Sequence, residues 1–334
     1  MSTVVIAQVR DALSRHGIVP RALRSDSRKV NPGDLFVAMP GERTDGSQYI
    51  GSAIAAGACA VLCEAGSAPS NAGVPVIEVQ SLRNHAGAIA DALLDHPSSA
   101  LHVIGVTGTN GKTSVTHWIA QAMQALGTRC GVIGTLGNGL PGQLSESPNT
   151  TPDVVSIHQT LADLRDAGAR ACAMEVSSIG LDQGRIDAVR IHTAVFTNLT
   201  RDHLDYHADM QSYAAAKSAL FSHPGVVAAV INTDDLTGRT LVKQFASQLA
   251  VIACEFERDA PPAPSVLSAE NPDLAQGIAF DLALDLKLGG SSVRVDTALV
   301  GQFNVQNLLA VAGSLLHAGV PMADIARALG TLTP

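Results

Sequence analysis

Apolar residues along this chain recur with two different periods, and the periods mark out its elements. Ile6, Val9 and Leu13 share one face of a short helix that Gly17 ends. Asn31-Pro32-Gly33-Asp34 is a turn signal, and the apolar run over 35–39 that follows predicts a buried strand. Residues 50–56 predict a helix, 60–63 a strand and 74–79 another, with small residues crowding a surface loop over 65–73. These elements read as one small mixed domain, residues 1–81. A helix over 82–94 leads into a second, 82–334.

In the second domain, strands at 103–106, 172–176, 193–197 and 227–231 alternate with helices at 115–125, 154–167 and 213–221. Alternation of this kind predicts a parallel sheet joined by crossover helices. Ile278, Phe280, Leu282, Leu284, Leu286 and Leu288 then fall at every second position. Gly289-Gly290-Ser291-Ser292 turns that strand into Val293 and Val295, an antiparallel hairpin added to the sheet. Val305, Leu308, Leu309, Ala312, Leu315 and Leu316 trace a helix, and a shorter one over 322–329 ends at Gly330. The predicted class is α/β, a small mixed domain followed by a mainly parallel one.

Composition narrows the function. At 334 residues and 46% apolar, the chain can bury two cores and is not a disordered one. Thirty acidic side chains against 22 basic give a net charge of −8, which argues against a nucleic-acid partner. No apolar run approaches the ~20 residues of a membrane span, and the first ten residues lack the order of a secretion signal. Cys59, Cys63, Cys130, Cys172 and Cys254 form no CxxC pair and sit among apolar neighbours, as reduced core cysteines do. The expectation is a cytoplasmic monomer.

The most informative segment is the apolar strand over 103–106 running into Gly108-Thr109-Asn110-Gly111-Lys112-Thr113-Ser114 and then an amphipathic helix. Glycines let backbone N–H groups converge on a phosphate, and the helix start adds positive potential. Lys112 supplies a charge for the β/γ-phosphates, and the Thr113 hydroxyl suits Mg²⁺. The strict G-x-x-x-x-G-K-[ST] spacing fails by one residue, because Val106 occupies the first glycine position. A dinucleotide site is disfavoured, since G-x-G-x-x-G is absent. Glu175 ends the apolar strand Cys172-Ala173-Met174, where catalytic groups of parallel sheets emerge. His203 lies in a polar cluster with Arg201, Asp202, Asp205 and His207. Lys217 sits in a helix of small and apolar groups, in a chain with five lysines beside seventeen arginines.

The 108–114 loop resembles the ATP loop of the Mur ligases, the amide-forming enzymes of peptidoglycan precursor synthesis. Further segments carry the likeness in order: Asp26-Ser27-Arg28 with the run over 33–38, Asn149-Thr150-Thr151-Pro152, Met174-Glu175-Val176-Ser177-Ser178, the stretch 197–207, and Gly301-Gln302-Phe303-Asn304 with Asn307. Among these ligases the chain most resembles those that extend UDP-N-acetylmuramoyl-L-alanyl-D-glutamate by the third amino acid of the stem peptide. Two departures stand out. Ile179 follows the paired serines where the family often has His, and the chain stops where the family's third domain begins.

That resemblance implies a small N-terminal nucleotide-binding domain before a phosphate-loop ATPase domain, with ATP and Mg²⁺ as cofactors. Gly108, Thr109, Asn110, Gly111, Lys112, Thr113 and Ser114 would hold the phosphates, and Asn304 and Asn307 the adenine. Lys112, Glu175, His203 and Lys217 would be catalytic. Metal would fall to Thr113, Glu175, His203 and Lys217, the last as N6-carboxylysine. Ser25, Ser27, Glu42, Arg43 and Thr44 would bind the uridine diphosphate; Asn149, Thr150, Thr151, Ser177, Gln183 and Arg185 would bind the muramoyl-peptide. Helix capping is the ordinary alternative for Asn149 to Thr151 and for the two asparagines. The added amino acid is expected to be meso-diaminopimelate rather than L-lysine, on resemblance alone. With the third domain absent, binding without ligation is expected of these 334 residues. Two rival readings are a folyl-polyglutamate synthetase, which lacks a comparable first domain, and a non-catalytic nucleotide-binding fragment.

Overall fold

A computed structural model describes residues 2–41, 45–256, 263–285 and 290–334. Glu42, Arg43 and Thr44, together with Leu286, Leu288 and Gly289 of the expected hairpin, lie outside the described residues. Contacts divide the chain into two compact units. The first is Met1–Ser99 with Pro152–Asp163 and Gly184–Val189; the second is the remainder. The first unit therefore runs past residue 81, where the sequence suggests a boundary, and recruits two later segments.

The first unit contains α1 (Ser2–Arg15), β1 (Leu23–Arg24), β2 (Leu35–Ala38), α2 (Ile50–Ala55), β3 (Ala60–Glu64), β4 (Val76–Val79) and α3 (Leu82–Leu93). Its four strands lie in the order β1-β2-β3-β4, all parallel. Successive side chains of a strand point to opposite faces, and here both faces are covered. Leu35, Val37 and Leu62 pack with Val9, Leu13, Leu82 and Ile89, while Phe36, Ala38, Val61 and Cys63 pack with Ile50 and Ala53. Coverage on both faces is why β2, and β3 as far as Cys63, read as unbroken apolar runs.

The second unit carries β5 (His102–Thr107), α4 (Lys112–Ala125), β6 (Cys130–Gly134), β7 (Gly137–Leu140) and β8 (Gln143–Ser145). Next come α5 (Val154–Asp166), whose residues to Asp163 count with the first unit, β9 (Ala171–Glu175), α6 (Ser178–Asp182), β10 (Thr193–Phe196) and α7 (Met210–Ser218). The chain continues through β11 (Ala228–Asn232), α8 (Leu236–Phe245), β12 (Ala250–Glu255), β13 (Ser265–Asp273), β14 (Ile278–Asp285) and β15 (Ser291–Thr297). It finishes with α9 (Phe303–His317) and α10 (Met322–Leu329). Eleven strands form one sheet in the order β15-β14-β13-β12-β11-β10-β5-β9-β6-β7-β8. The run from β13 to β6 is parallel, and the strands at both ends are antiparallel. Val115, Trp118, Ile119 and Met123 of α4 join Val305, Leu308 and Leu309 of α9 in its core. All five cysteines are free, four of them buried and Cys59 half-buried.

Several elements lie outside the predicted alternation: β6, β7, β8, α6, α8, β12 and β13. The last residues of β13 and most of β7 and β8 are at least partly exposed, so no apolar period marks them. The helix expected at 213 starts instead at Met210, because Asp209 and Ser212 form a reciprocal capping box before it. It ends at Ser218, and a 3-10 turn completes the segment.

Candidate functional site

β5 lies between β9 and β10, although the chain reaches β9 only after β6. Strand order reverses at β5, and ligands of open parallel sheets bind beyond the carboxyl ends of strands at such a point. Three strand ends meet there: the loop after β5, Glu175 at the end of β9, and Thr197-Asn198 after β10.

The loop is fastened from the β10 side. Asn198 accepts from Thr109 N through its carbonyl at 2.8 Å and from Asn110 N through Oδ1 at 2.9 Å. Thr197 Oγ1 donates to Asn110 O at 2.6 Å. Two of the loop's backbone donors are thus already engaged. The N–H groups of Lys112, Thr113 and Ser114 begin α4, where helix geometry leaves them no intrahelical acceptor. The anion-binding face is accordingly the helix start more than the glycine loop.

Two lysines converge on one carbonyl. Lys112 Nζ donates to Gly108 O at 2.8 Å and Thr109 O at 2.9 Å, and Lys217 Nζ donates to Gly108 O at 2.8 Å. Burial is the main cause that lowers both their pKa values; Lys112 further depresses Lys217, which is 1% exposed and comes down to about 7. Burial thus brings loss of the Lys217 proton down toward neutral pH, unlike a surface lysine. Its Nζ lies 4.5 Å from the centre of the Tyr213 ring, and the Tyr213 hydroxyl is 3.2 Å from Thr109 Oγ1.

Glu175 is 1% exposed. Its Oε2 accepts from Thr113 Oγ1 at 2.9 Å and from Thr135 Oγ1 at 3.3 Å, and its Oε1 accepts from Thr135 N at 2.8 Å. Gly134 makes that approach possible, since a Cβ there would lie 2.2 Å from Oε1. Thr135 is a site residue the sequence reading missed; a threonine after a short apolar strand carries no distinguishing signal. Its hydroxyl oxygen lies 3.0 Å from Thr150 Oγ1. Thr151 Oγ1 donates to Glu175 O and accepts from Ser177 N, both at 2.9 Å. Asn149 is exposed, and the Ser177 hydroxyl caps α6 at Gly180 N.

His203 has φ +50, and its Nε2 is 3.6 Å from Asp202 Oδ2. Its ring meets Tyr213 edge-on with centroids 6.0 Å apart. His207 is a neighbour of a different kind: buried, hydrogen-bonded to Ser178 Oγ at 2.9 Å and packed on Tyr213. Of the four expected metal ligands, Thr113 and Glu175 touch, while His203 and Lys217 lie against Tyr213. Among the described residues no three His, Cys, Asp or Glu side chains gather as a cation site. The adjacent Thr113 and Glu175 oxygens have the hard-donor chemistry that Mg²⁺ takes. Asn304 Nδ2 donates to Val300 O at 2.8 Å, and Asn307 Nδ2 donates to Asn304 Oδ1 at 3.0 Å. Asn307 Oδ1 lies so close to Gly111 that a Cβ there would be 2.4 Å from it, which brings both asparagines to the loop.

In the first unit, Ser25 Oγ is 3.4 Å from Ser156 Oγ, and Ser27 opens a 3-10 turn capped by Asp26. Both serines are half-buried, as is Arg185 on the Gly184–Val189 segment. Gln183 ends α6 in the second unit.

This fold and loop define a phosphate-loop α/β protein with a second, smaller parallel-sheet unit. Residues 106–315 match the Mur ligase middle domain, and residues 21–93 match the model described as Mur ligase family, catalytic domain. The chain belongs to the Mur ligase family. It is 48% identical over 318 residues, 95% of its length, to a UDP-N-acetylmuramoyl-L-alanyl-D-glutamate–2,6-diaminopimelate ligase of Ectopseudomonas mendocina. It is 47% identical to the Xylella fastidiosa (strain 9a5c) ligase of that name over 98% of its length. The chain spans 64% of the length of each of these relatives. A solved structure of a ligase of the same name superposes with a TM-score of 0.75 at 30% identity, over 94% of this chain and 63% of that one. A folylpolyglutamate synthase from Mycobacterium tuberculosis shares the fold at a TM-score of 0.57 and 18% identity, over 74% of this chain and 62% of that one. Among the described residues no helix is long and apolar enough to cross a membrane.

Proposed function

We propose that these residues form the nucleotide-binding part of an ATP-dependent ligase joining a diamino acid, meso-diaminopimelate in preference, to UDP-N-acetylmuramoyl-L-alanyl-D-glutamate in the cytoplasm. The observation that carries the reading is the convergence of Lys112 and Lys217 on Gly108 O beside the start of α4. The 48% identity to a ligase of this name supports the choice of substrates.

A carboxylate does not form an amide unless it is activated. In the proposed reaction the γ-phosphoryl group of ATP passes to an oxygen of the D-glutamate γ-carboxylate and ADP departs. The amine then attacks the acyl carbon, the C–N bond forms, phosphate leaves and the amine gives up a proton. Lys112 and the first N–H groups of α4 neutralise phosphate charge. Thr113 and Glu175 would hold Mg²⁺, with His203 and a carboxylated Lys217 as further ligands; the ion relieves repulsion between polyphosphate and carboxylate. Carboxylation needs an unprotonated amine, and the buried Lys217 supplies one: its nitrogen bonds to the carbon of CO₂ and loses a proton. Asn304 and Asn307 take the adenine. Ser25 and Ser27, with Glu42, Arg43 and Thr44, take the uridine diphosphate, which assigns that end of the substrate to the first unit. Asn149, Thr150, Thr151, Ser177, Gln183 and Arg185 take the muramoyl-peptide.

Calorimetry of this chain with Mg·ATP and, separately, with UDP-N-acetylmuramoyl-dipeptide tests the reading. Both should bind, and the uridine nucleotide should bind without ATP. Failure of the uridine nucleotide to bind while ATP does would return the chain to the folyl-polyglutamate synthetase class.

A further inference from the structure

The first unit contains a buried polar pair that the reaction above does not use. His158, on α5, is 0% exposed, and its Nε2 lies 2.9 Å from the carbonyl oxygen of Asp187. A carbonyl only accepts, so Nε2 carries a proton. The other ring nitrogen, Nδ1, faces Oδ1 of Asp91 on α3 at 3.8 Å. Both of these atoms are buried, and neither has a hydrogen-bond partner among the described residues. The second carboxylate oxygen of Asp91 lies 2.6 Å from Nδ1 of His96, whose side chain is 59% exposed. His96 is itself held unusually, at φ +51 after Asp95 at φ +55, and its backbone N donates to Asp91 O at 2.8 Å.

A neutral His158 beside an ionised Asp91 would aim two lone pairs at each other where water cannot reach. One additional proton converts that opposition into an N–H···O contact and satisfies both orphaned atoms. The charged and titratable groups facing His158 are Asp91 and His96 from α3 and the turn after it, and Asp187 from the Gly184–Val189 segment. Burial is the largest cause and holds the His158 ring below the ordinary imidazole range; the Asp187 carbonyl and the two carboxylates favour the protonated ring against it, and His96 opposes it, so the proton is taken up on the acid side of neutrality.

The same ring fastens a loop. The Asp187 carbonyl enters a notch on α3 that exists because residue 87 is glycine: a Cβ there would lie 2.5 Å from the oxygen. Ile186 and Val189 of the segment are each 1% exposed, so it is anchored at both sides of that carbonyl. Arg185 stands directly before Ile186.

We propose that Asp91 and His158 share one buried proton, and that the protonated pair is a latch seating the Gly184–Val189 segment on the α3–α5 surface of the first unit. His96, in contact with the second Asp91 oxygen, is its solvent-facing end. His158 is a positioning residue: it reaches Arg185 only through the Asp187 carbonyl, and the consequence for substrate rests on the assignment of Arg185 to the muramoyl-peptide.

The test needs no substitution to begin. Imidazole ¹⁵N spectra of the 334-residue chain across neutral pH should show His158 with Nε2 protonated throughout and Nδ1 hydrogen-bonded on the acid side of one titration step. Protection of the Asp187 and Val189 amides, which donate to Gly184 O and Ile186 O, taken relative to the intrinsic exchange rate at each pH, should fall about tenfold above that step, the scale of one lost hydrogen bond. Asp91→Asn offers Nδ1 a donor without an extra proton, so it should abolish the pH dependence of that protection while keeping the protection high. Asp91→Leu should give low protection at every pH. A neutral His158 with a free Nδ1 over the whole range, or the same pH response in Asp91→Asn, overturns the latch. Protection that follows the proton while UDP-N-acetylmuramoyl-dipeptide affinity stays constant upholds the latch and removes Arg185 from the substrate site.

Discussion

Lys112 and Lys217 share an acceptor, yet their surroundings assign them different chemistry. Lys112 is half-buried at the start of α4 and stays close to the charges it meets; Lys217 is fully enclosed and loses its proton most easily. Lys112→Ala should weaken ATP binding by about 1.5–3 kcal/mol, the range for a hydrogen bond to a charged group, and leave uridine-nucleotide binding unchanged. Calorimetry of both ligands checks it, and equal ATP affinity would remove the loop assignment. For Lys217 the sign of the pH effect follows from burial. Its folded pKa, about 7, lies below the ordinary 10.5, so between those values the unfolded chain binds more protons. Stability of the ligand-free protein should therefore rise with pH across that window, and below about 7 the full penalty of burying the cation applies. Lys217→Met should flatten this slope in urea melts run without CO₂. With CO₂ and Mg²⁺ present, intact-mass spectra at mild pH should gain the mass of one CO₂ on the native protein and not on Lys217→Met.

Elements matter here through what their ends deliver. β9 ends on Glu175 and β6 ends on Gly134, and the parallel register that pairs Ile133 with Met174 brings Gly134 level with Glu175, so that the carboxylate accepts from the N–H of the next residue, Thr135. Gly134→Ala should push the Glu175 carboxylate away from Thr135 N and Thr113 Oγ1. Loss of these charge-assisted contacts predicts a fall in Mg·ATP affinity of about 1.5–3 kcal/mol. Metal-free ATP should be affected less, which a comparison of titrations with Mg²⁺ and with a chelator resolves. At α7 the capping box fixes the helix start at Met210, and with it the position of Lys217 two turns on.

The whole molecule holds two cores that answer to different mutations. Leu62, 0% exposed in the first unit, packs against α1 and α3 residues, whereas the 108–114 loop belongs to the second unit. Leu62→Ala should cost about 2–5 kcal/mol of the first unit's stability. Uridine-nucleotide binding should be lost at elevated temperature while ATP binding persists, as paired thermal-shift assays with each ligand would show. The chain spans 64% of the length of two relatives named as ligases. Mass-spectrometric assay of these 334 residues with both nucleotides and either diamino acid should show binding without turnover; alignment of the reacting groups is worth about 7–11 kcal/mol of barrier when a site is complete.

The sequence by itself determined the elements with strong periods and the loop. Leu35 to Ala38, the strand into Gly108, the helix carrying Trp118 and the 322–329 helix are legible because burial on both faces, or on one helical stripe, leaves a regular apolar record. Lys112 after the glycine loop, Glu175 at the end of an apolar run and His203 in a polar cluster stand out in the sequence as residue types, whatever their neighbours in space. Tertiary structure alone decided that Thr135 holds Glu175, that Asn198 occupies two loop donors, and that Lys217 reaches Gly108 O from 109 residues away. It likewise decided that 152–163 and 184–189 belong with the first unit and that His158 meets Asp91. The physical reason is range. Periodicity records which face of an element meets an interior, whereas hydrogen bonds and shared protons depend on which partner stands across the gap, and strand order, not sequence distance, sets that.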